Sequence, residues 1–307
     1  MRSVVFAYSD VGYVCLEYLL DAGADVAAVF THADDPNEEI WFRSVRALAE
    51  ARGLPVFTTE RFDHDGWVER LGAMNPDFLF SFYYRRMLPT AVLETARRAA
   101  LNLHGSLLPK YRGRCPVNWV LINDERETGV TLHHMVAKAD AGDIVAQRRV
   151  PIADDDTAYT LYGKQTAAAI DLMRTTYPHL CDGSAPRIVQ DPAAATYFGG
   201  RRPADGLIDW SQSARQIYNL VRAVTHPYPG AFTHWQGSQL MIWRAQIADA
   251  GPSELPPGTV AGLDDGVVVQ AGAGRLRFLR VQSAGGEECD AAGWARDHGI
   301  GVGSRLA

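Results

Sequence analysis

This chain of 307 residues has little lysine and little cysteine, and it lacks most of the short motifs that announce a chemistry. Its only lysines are Lys110, Lys138 and Lys164, so its basic charge is carried almost entirely by arginine, a bias of the kind GC-rich coding produces. The four cysteines, Cys15, Cys115, Cys181 and Cys289, are far apart and form no CxxC pair, which argues against a disulfide framework or a zinc site. Reduced thiols in a cytoplasmic protein are the expectation. No segment reaches membrane-spanning length without charges or turns. The opening residues MRSVVFAYSD run directly into a strand rather than into the apolar stretch of a signal peptide. A net charge of −6 excludes an all-over nucleic-acid-binding surface.

The missing motifs narrow the chemistry further. The first strand-to-helix turn, Tyr8-Ser-Asp-Val-Gly12, lacks the GxGxxG glycines that let a backbone approach a dinucleotide pyrophosphate. There is no GxxxxGK[ST] phosphate loop. Metal is not expected either, because His133 and His134 are adjacent, point to opposite strand faces and have no HExxH or Cys/His company. Ser106 sits in His104-Gly-Ser-Leu without the second glycine of a GxSxG elbow, so it reads as a turn hydroxyl.

What is present is the composition of a folded protein, 47% hydrophobic and 21% charged, with length for one large or two ordinary domains. The N-terminal half alternates elements. Residues 3–8 form a short apolar strand, and 10–22 space Val11, Cys15, Leu16 and Leu19 helically. Residues 24–31 read as a second strand, 39–52 as a helix, 55–58 as extended and 66–74 as a helix. Residues 78–82 and 100–104 are two further buried strands. This rhythm predicts an α/β fold with a mostly parallel sheet covered by helices on both faces.

Beyond residue 104 the pattern changes. Residues 128–136 and 144–151 are β-rich and bracket Lys138-Ala-Asp-Ala-Gly-Asp143, a hairpin with a turn-rich loop. Residues 157–180 form one long amphipathic helix, with Asp154-Asp155-Asp156 placed to start it at its positive end. Periodic apolar residues give way to Gly, Pro, Ala and Arg at 182–205. This places a linker at 189–204 between a domain of residues 1–188 and one of residues 205–307. There, a helix over 211–224 and the turn His226-Pro-Tyr-Pro-Gly230 precede short strands at 231–234, 239–245, 258–261, 266–271 and 276–281, the spacing of a small β-barrel.

The richest stretch is Leu101-Asn-Leu-His-Gly-Ser-Leu-Leu-Pro109. If residues 101–104 end a strand, Asn102 and His104 project to one side. Gly105-Ser106 then breaks the strand, leaving the pair at a carboxyl end, where open α/β sheets bind their ligands. An amide beside an imidazole suits acyl transfer, one stabilising an oxyanion and the other moving a proton. Asp140, in the hairpin loop, either faces water or folds against His104 to orient it and hold a proton on it. The basic string Lys110-Tyr-Arg-Gly-Arg114 is either a solvated loop or an anchor for an anionic ligand.

Taken together, Asn102-Leu-His-Gly-Ser-Leu-Leu-Pro-Lys-Tyr-Arg-Gly-Arg114, Thr128-Gly-Val-Thr-Leu132 and Ala139-Asp-Ala-Gly-Asp143 resemble the 10-formyltetrahydrofolate-dependent formyltransferases. The likeness extends through Val4-Val-Phe-Ala-Tyr8, Ala28-Val-Phe-Thr-His32, Phe80-Ser-Phe-Tyr-Tyr-Arg85, Phe198-Gly-Gly-Arg-Arg-Pro203 and Gly303-Ser-Arg-Leu306. It is greatest for the formyltransferase part of ArnA-type enzymes, which act on UDP-4-amino-4-deoxy-L-arabinose in lipid A modification and polymyxin resistance. The resemblance implies a Rossmann-like catalytic domain followed by an OB-like β-barrel. It also implies a catalytic trio in which Asn102 stabilises the oxyanion, His104 is the acid/base and Asp140 tunes that His. A folate site would involve Arg86, Met87, Leu88, Arg114 and the backbone of Val136, Ala137, Lys138, Ala139 and Asp140. Arg86 and Met87 depart from the residues usual in the family.

The implied reaction takes 10-formyltetrahydrofolate as formyl donor and a nucleotide-linked amino sugar as acceptor, with no metal. A separate NAD-dependent dehydrogenase of the same pathway is the implied partner, since this chain has no dinucleotide fingerprint. Methionyl-tRNA formyltransferases share the fold and trio but resemble one another in a basic insert after the second strand. Here that loop, Thr31-His-Ala-Asp-Asp-Pro-Asn-Glu-Glu39, is acidic and would repel phosphate. A formyl-folate hydrolase would carry a further domain. A non-catalytic folate or nucleotide-sugar binder would not need Asn102, His104 and Asp140 intact.

Overall fold

Five of the six residues of the first strand, β1 (Arg2–Ala7), are buried, as befits a strand covered on both faces. The computed structural model describes residues 1–36, 38–59, 61–62, 66–249 and 254–307. These divide into two compact units. The first comprises Met1–Pro116, Glu127–Pro151 and Tyr162–Gly199, and the second Val117–Arg126, Ile152–Leu161 and Gly200–Ala307. Among the described residues, no helix is long and apolar enough to cross a membrane.

In the first unit β1 is followed by α1 (Ser9–Asp21), β2 (Asp25–Phe30), α2 (Val45–Ala51), β3 (Val56–Phe57), α3 (Trp67–Ala73), β4 (Phe78–Phe82), α4 (Thr90–Leu93) and β5 (Ala99–His104). Then come β6 (Arg112–Gly113), β7 (Glu127–His134), β8 (Ile144–Pro151), α6 (Ala158–Asp182, in this unit from Tyr162 onward) and β9 (Tyr197–Phe198); α5 (Pro116–Ile122), between β6 and β7, belongs to the second unit apart from Pro116. The seven-stranded sheet runs β3-β2-β1-β4-β5-β7-β8. Pairing is parallel from β3 to β5 and antiparallel from β5 through β7 to β8. The chain winds outward in one direction from β1 to β3 and in the other from β1 to β5. The carboxyl ends of β1 and β4 therefore flank the point where the winding reverses, where open sheets form their crevice. One face of the sheet is sealed by aromatic packing: Phe6 stacks on Phe30 at 4.8 Å, with Phe62 and Tyr84 edge-on to Phe6.

Several helices depart from expectation, and α4 is among those not foreseen. The helix foreseen over 39–52 begins only at Val45, because Ser44 Oγ accepts the Ala47 N–H at 3.2 Å and acts as N-cap. Arg43, just before it, is drawn away by Asp10, to which its backbone N and Nε donate at 3.3 and 2.7 Å. The long helix α6 is started by Thr157, whose Oγ1 accepts the Thr160 N–H at 3.3 Å, rather than by the acidic run. In that run Asp154 pairs with Arg126 and Arg215, and Asp156 takes the Thr160 hydroxyl at 2.9 Å. α5 was not foreseen; Pro116 at its start has no N–H to leave unpaired.

The second unit contains α7 (Ala214–Val224), β10 (Ala231–Trp235), β11 (Ser238–Asp249), β12 (Val260–Gly262), β13 (Val267–Gln270), β14 (Arg275–Ser283), β15 (Cys289–Asp290) and α8 (Ala291–Asp297), the last also unforeseen. Its antiparallel sheet runs β10-β11-β14-β13-β12, with β15 on β14. The expected barrel is thus a curled antiparallel sheet whose end strands β10 and β12 are not paired with each other. Residues 303–307 span the two ends instead. Ala307 exchanges backbone bonds with His234 at 2.9 and 3.0 Å, Ser304 O accepts from Val260 N at 2.8 Å, and Leu306 N donates to Gly258 O at 2.8 Å.

Candidate active site

Antiparallel pairing of β5 with β7 places His133 opposite Asn102 and Thr131 opposite His104. Facing residues on antiparallel strands share a face, and Asn102 and His104 share one by their period of two, so these four polar side chains lie together. Leu101 and Leu103 alternate with them and are buried in the core. The strand ends where foreseen. A Cβ on Gly105 would meet the Tyr83 hydroxyl, so a larger residue here would have to push that ring aside. The Ser106 hydroxyl donates to the Lys110 carbonyl at 2.7 Å, the turn role read from its setting.

His104 is buried, at 7% exposure. Its Nε2 lies 2.7 Å from the Tyr111 carbonyl oxygen, which can only accept. The ring hydrogen of the neutral imidazole is therefore on Nε2, and Nδ1 keeps its lone pair. Nδ1 lies 3.6 Å from Asp140 Oδ2. Burial lowers the His104 pKa below its ordinary value of 6.5, and the Asp140 carboxylate opposes this only in part, so the ring is neutral at pH 7.

Asp140 does fold against His104. Its φ of 54° is in the left-handed region, which Asp enters more readily than most residues. Its Oδ2 accepts the Gly113 N–H at 2.8 Å, while Oδ1 lies 3.4 Å from Asn102 Nδ2 and 3.5 Å from His133 Nε2. Burial by itself would raise this carboxyl. The charge that His104 carries once protonated and the Gly113 N–H hold it well below the usual carboxylate range. The loop backbone is pinned by Gln190, whose Nε2 donates to Asp140 O at 2.8 Å and to Gly142 O at 2.6 Å.

Gly113, which supplies the N–H to Asp140, pairs in β6 with Phe198 of β9. Its φ is 100°, and a Cβ there would lie 2.2 Å from Phe198 O. The basic string resolves unevenly: Lys110 and Arg114 are exposed, but Arg112 is 4% exposed. Arg112 is spent on structure, donating to Gln190 Oε1 at 2.6 and 3.2 Å and to Tyr197 Oη at 2.6 Å.

Of the folate candidates, Arg86, Arg114, Val136, Ala137 and Lys138 are exposed, Met87 is 60% exposed, and Ala139 is half-buried. Leu88 is different. Its side chain belongs to the hydrophobic cluster with Phe6, Phe30 and Tyr84, so only its backbone can face a ligand. Met135, just before the 136–140 loop, packs on the same cluster. Lys138 Nζ lies over the Tyr197 ring, 5.0 Å from its centroid.

The acidic loop after β2 is partly neutralised. Glu38 accepts two bonds from Arg85 at 2.7 and 2.8 Å, and Asp34 accepts the Tyr8 hydroxyl at 3.0 Å; Asn37 lies outside the described residues. Burial, helped by Asp34, pushes the Tyr8 phenol up to about 12. A cleft of about 200 Å³ opens here, lined by Tyr8, His32, Asp34, Phe42, Arg43 and Arg46. It is two strand positions or more from β5, roughly 10 Å at 4.8 Å per strand, and does not contain the trio.

His133, Gln190 and Gly113 were not singled out from the sequence as parts of the trio's setting. His133 is brought to Asn102 by the antiparallel register of β5 on β7, which its place in the sequence does not reveal. Gln190 carried no signal, being 50 residues from the carbonyl it binds.

Comparison with known proteins gives these placements a context. A family model described as formyl transferase matches residues 3–176, and one described as formyl transferase, C-terminal domain, matches residues 201–299. Among solved structures, WlaRD, a sugar 3N-formyl transferase studied with dTDP and 5-N-formyl-THF, is similar with a TM-score of 0.69 and 18% identity, over 91% of this chain and 97% of that one. An N-formyltransferase from Helicobacter canadensis, in complex with folinic acid and dTDP-3-aminofucose, gives 0.67 and 19% over 90% of this chain and 98% of its own. HypX from Aquifex aeolicus gives 0.64 and 18%; it covers 99% of this chain, which spans only about half (48%) of HypX. At such identities the likeness is one of fold.

Proposed function

The chain belongs to the formyl transferase family through both of its domains, and from that membership we propose that it moves a formyl group from 10-formyltetrahydrofolate to the amine of a nucleotide-linked amino sugar. The observation that carries this reading is the meeting of Asn102, His104 and Asp140 at the carboxyl end of β5, with His104 held neutral by burial. An amine nucleophile must arrive unprotonated. As its nitrogen bonds to the formyl carbon, charge grows on the formyl oxygen, and an Asn102 N–H held in a dry site stabilises it. The attacking nitrogen then gives up a proton. His104 Nδ1, the ring nitrogen not engaged by Tyr111, takes it, and the Asp140 carboxylate stabilises the imidazolium. The carbon–N10 bond breaks as the same proton passes to the departing folate nitrogen.

The folate is assigned to Arg86, Met87, the Leu88 backbone, Arg114 and the 136–140 loop. The acceptor is UDP-4-amino-4-deoxy-L-arabinose, as in ArnA-type enzymes. The motif strings support this choice, and so does the carboxylate-rich loop at residues 31–39, which disfavours a tRNA acceptor. The similar structures, one with dTDP-3-aminofucose and one with dTDP, support the class of acceptor rather than its base. A dehydrogenase acting before this step completes the assignment. The test is purified protein with 10-formyltetrahydrofolate against UDP-, dTDP- and GDP-linked amino sugars and charged methionyl-tRNA. Turnover with a UDP-amino sugar is expected; formylation of methionyl-tRNA alone would replace the reading. His104→Ala should abolish transfer while folate still binds, and wild-type turnover in that variant would remove His104 from its role.

A further inference from the structure

His133 is 1% exposed, lies on the site face of β7 directly opposite Asn102, and takes no part in the proton route above. Its Nδ1 is 2.8 Å from the His134 carbonyl oxygen, and its Nε2 is 3.1 Å from Asn102 Nδ2. A carbonyl oxygen only accepts, so the hydrogen of the neutral ring is on Nδ1 and Nε2 presents a lone pair. That fixes which end of the Asn102 amide faces the ring. The carboxamide oxygen would meet lone pair with lone pair, whereas the NH2 end gives a hydrogen bond. Asn102 Nδ2 then has a second hydrogen, whose nearest protein acceptor is Asp140 Oδ1 at a long 3.4 Å.

We propose that His133 is a positioning residue for formyl transfer: it holds one Asn102 N–H through Nε2, so that the other remains turned toward the developing oxyanion. This rests on the formyl-transfer reading of the site. The amide of an asparagine can flip end for end unless a partner specifies one end, and a flipped amide would present its oxygen to the negative charge. The backbone carbonyl of His134 thus sets the tautomer of His133, His133 sets the amide, and the amide sets the donor. His133 acts through Asn102.

The closest neutral replacement is His133→Gln, whose carboxamide oxygen can sit near the position of Nε2 and accept from Asn102. His133→Leu fills a similar volume with no acceptor. Removing an oxyanion donor costs on the order of 100-fold to 1,000-fold in kcat, and loosening one should cost part of that. His133→Leu is therefore expected to lower kcat about 10-fold to 100-fold with little change in KM for either substrate, and His133→Gln to recover most of the loss. In an Asn102→Ala background, His133→Leu should cost nothing further. A second readout is independent of the acceptor. The formyl C=O stretch of bound 10-formyltetrahydrofolate should lie at lower frequency in the wild type than in His133→Leu, with His133→Gln close to wild type. Equal kcat and equal C=O frequency in His133→Leu and wild type would overturn the positioning role, as would a loss in His133→Leu that His133→Gln shares in full. Failure of the wild-type protein to bind 10-formyltetrahydrofolate would instead overturn the formyl-transfer reading beneath it.

Discussion

The imidazole of His104 is fixed at one nitrogen by a backbone carbonyl and faces a carboxylate with the other, and its burial ties stability to pH. Its folded pKa is below the unfolded value of 6.5. In the window between the two, the unfolded chain binds a proton that the folded chain does not, so stability rises with pH there and levels off above about 6.5. The thermal midpoint should therefore fall as pH is lowered from 7 to 5. His104→Asn should flatten that part of the curve, and an unchanged slope would show that the ring is not held neutral. Asp140 works in a lower window. Its folded carboxyl is held down, so its contribution is present above about pH 4 and is lost as pH falls toward the folded value. Asp140→Asn removes the charge that stabilises the His104 imidazolium, and it should reduce kcat more than KM.

At the scale of elements, the site depends on short pieces whose role is to hold loops. Pairing of β6 with β9 is only two residues long, yet it aims the Gly113 N–H at Asp140. Gly113→Ala forces a Cβ against Phe198 O at a backbone angle of 100°, a strain of about 1–3 kcal/mol. Its expected result is a lower thermal midpoint together with weakened turnover; unaltered turnover would mean that Asp140 is placed without this N–H. α7 offers a cleaner case, because its cap is remote from the trio in sequence. Ser213 and Gln216 form a reciprocal capping box, and Ser213→Ala should cost about 1 kcal/mol in denaturant unfolding without altering catalysis.

On the scale of the whole molecule, each unit uses its sheet differently. The first unit is a wound parallel sheet with an antiparallel extension, and that extension, β7, brings His133 to Asn102. In the second unit residues 303–307 tie the two free edges of the curled sheet, with Leu306 at 2% exposure. Leu306→Ala should cost about 2–5 kcal/mol. Because that loss falls on the second unit, calorimetry should show its transition moving down while the first unit's stays; a single uniform shift would mean that the two unfold together.

How much of this was legible before the fold was known follows from chain distance. The strands of the parallel sheet, the Asn102-x-His104 face and the turn at Gly105 were readable because period-two burial and glycine breaks are local. Helix starts were readable only where the capping side chain was the expected one. Ser44 displaced the start foreseen at residue 39, whereas α6 begins where foreseen but with Thr157 rather than the acidic run as its cap, since a hydroxyl that binds a free helix N–H outweighs a charge already paired with arginine. The expected barrel is present as a half-barrel, a curled antiparallel sheet; that residues 303–307 bridge its ends was not legible, because that segment has no strand periodicity. By itself the sequence determined the kind of chemistry, through residue types whose donors, acceptors and charges do not depend on where the chain goes. Only the tertiary structure decided which nitrogen of His104 is free, which end of the Asn102 amide faces His133 and what holds the Asp140 loop. Those outcomes depend on partners such as Tyr111 O, His133 and Gln190, whose approach is set by sheet register and loop path rather than by neighbours in the chain.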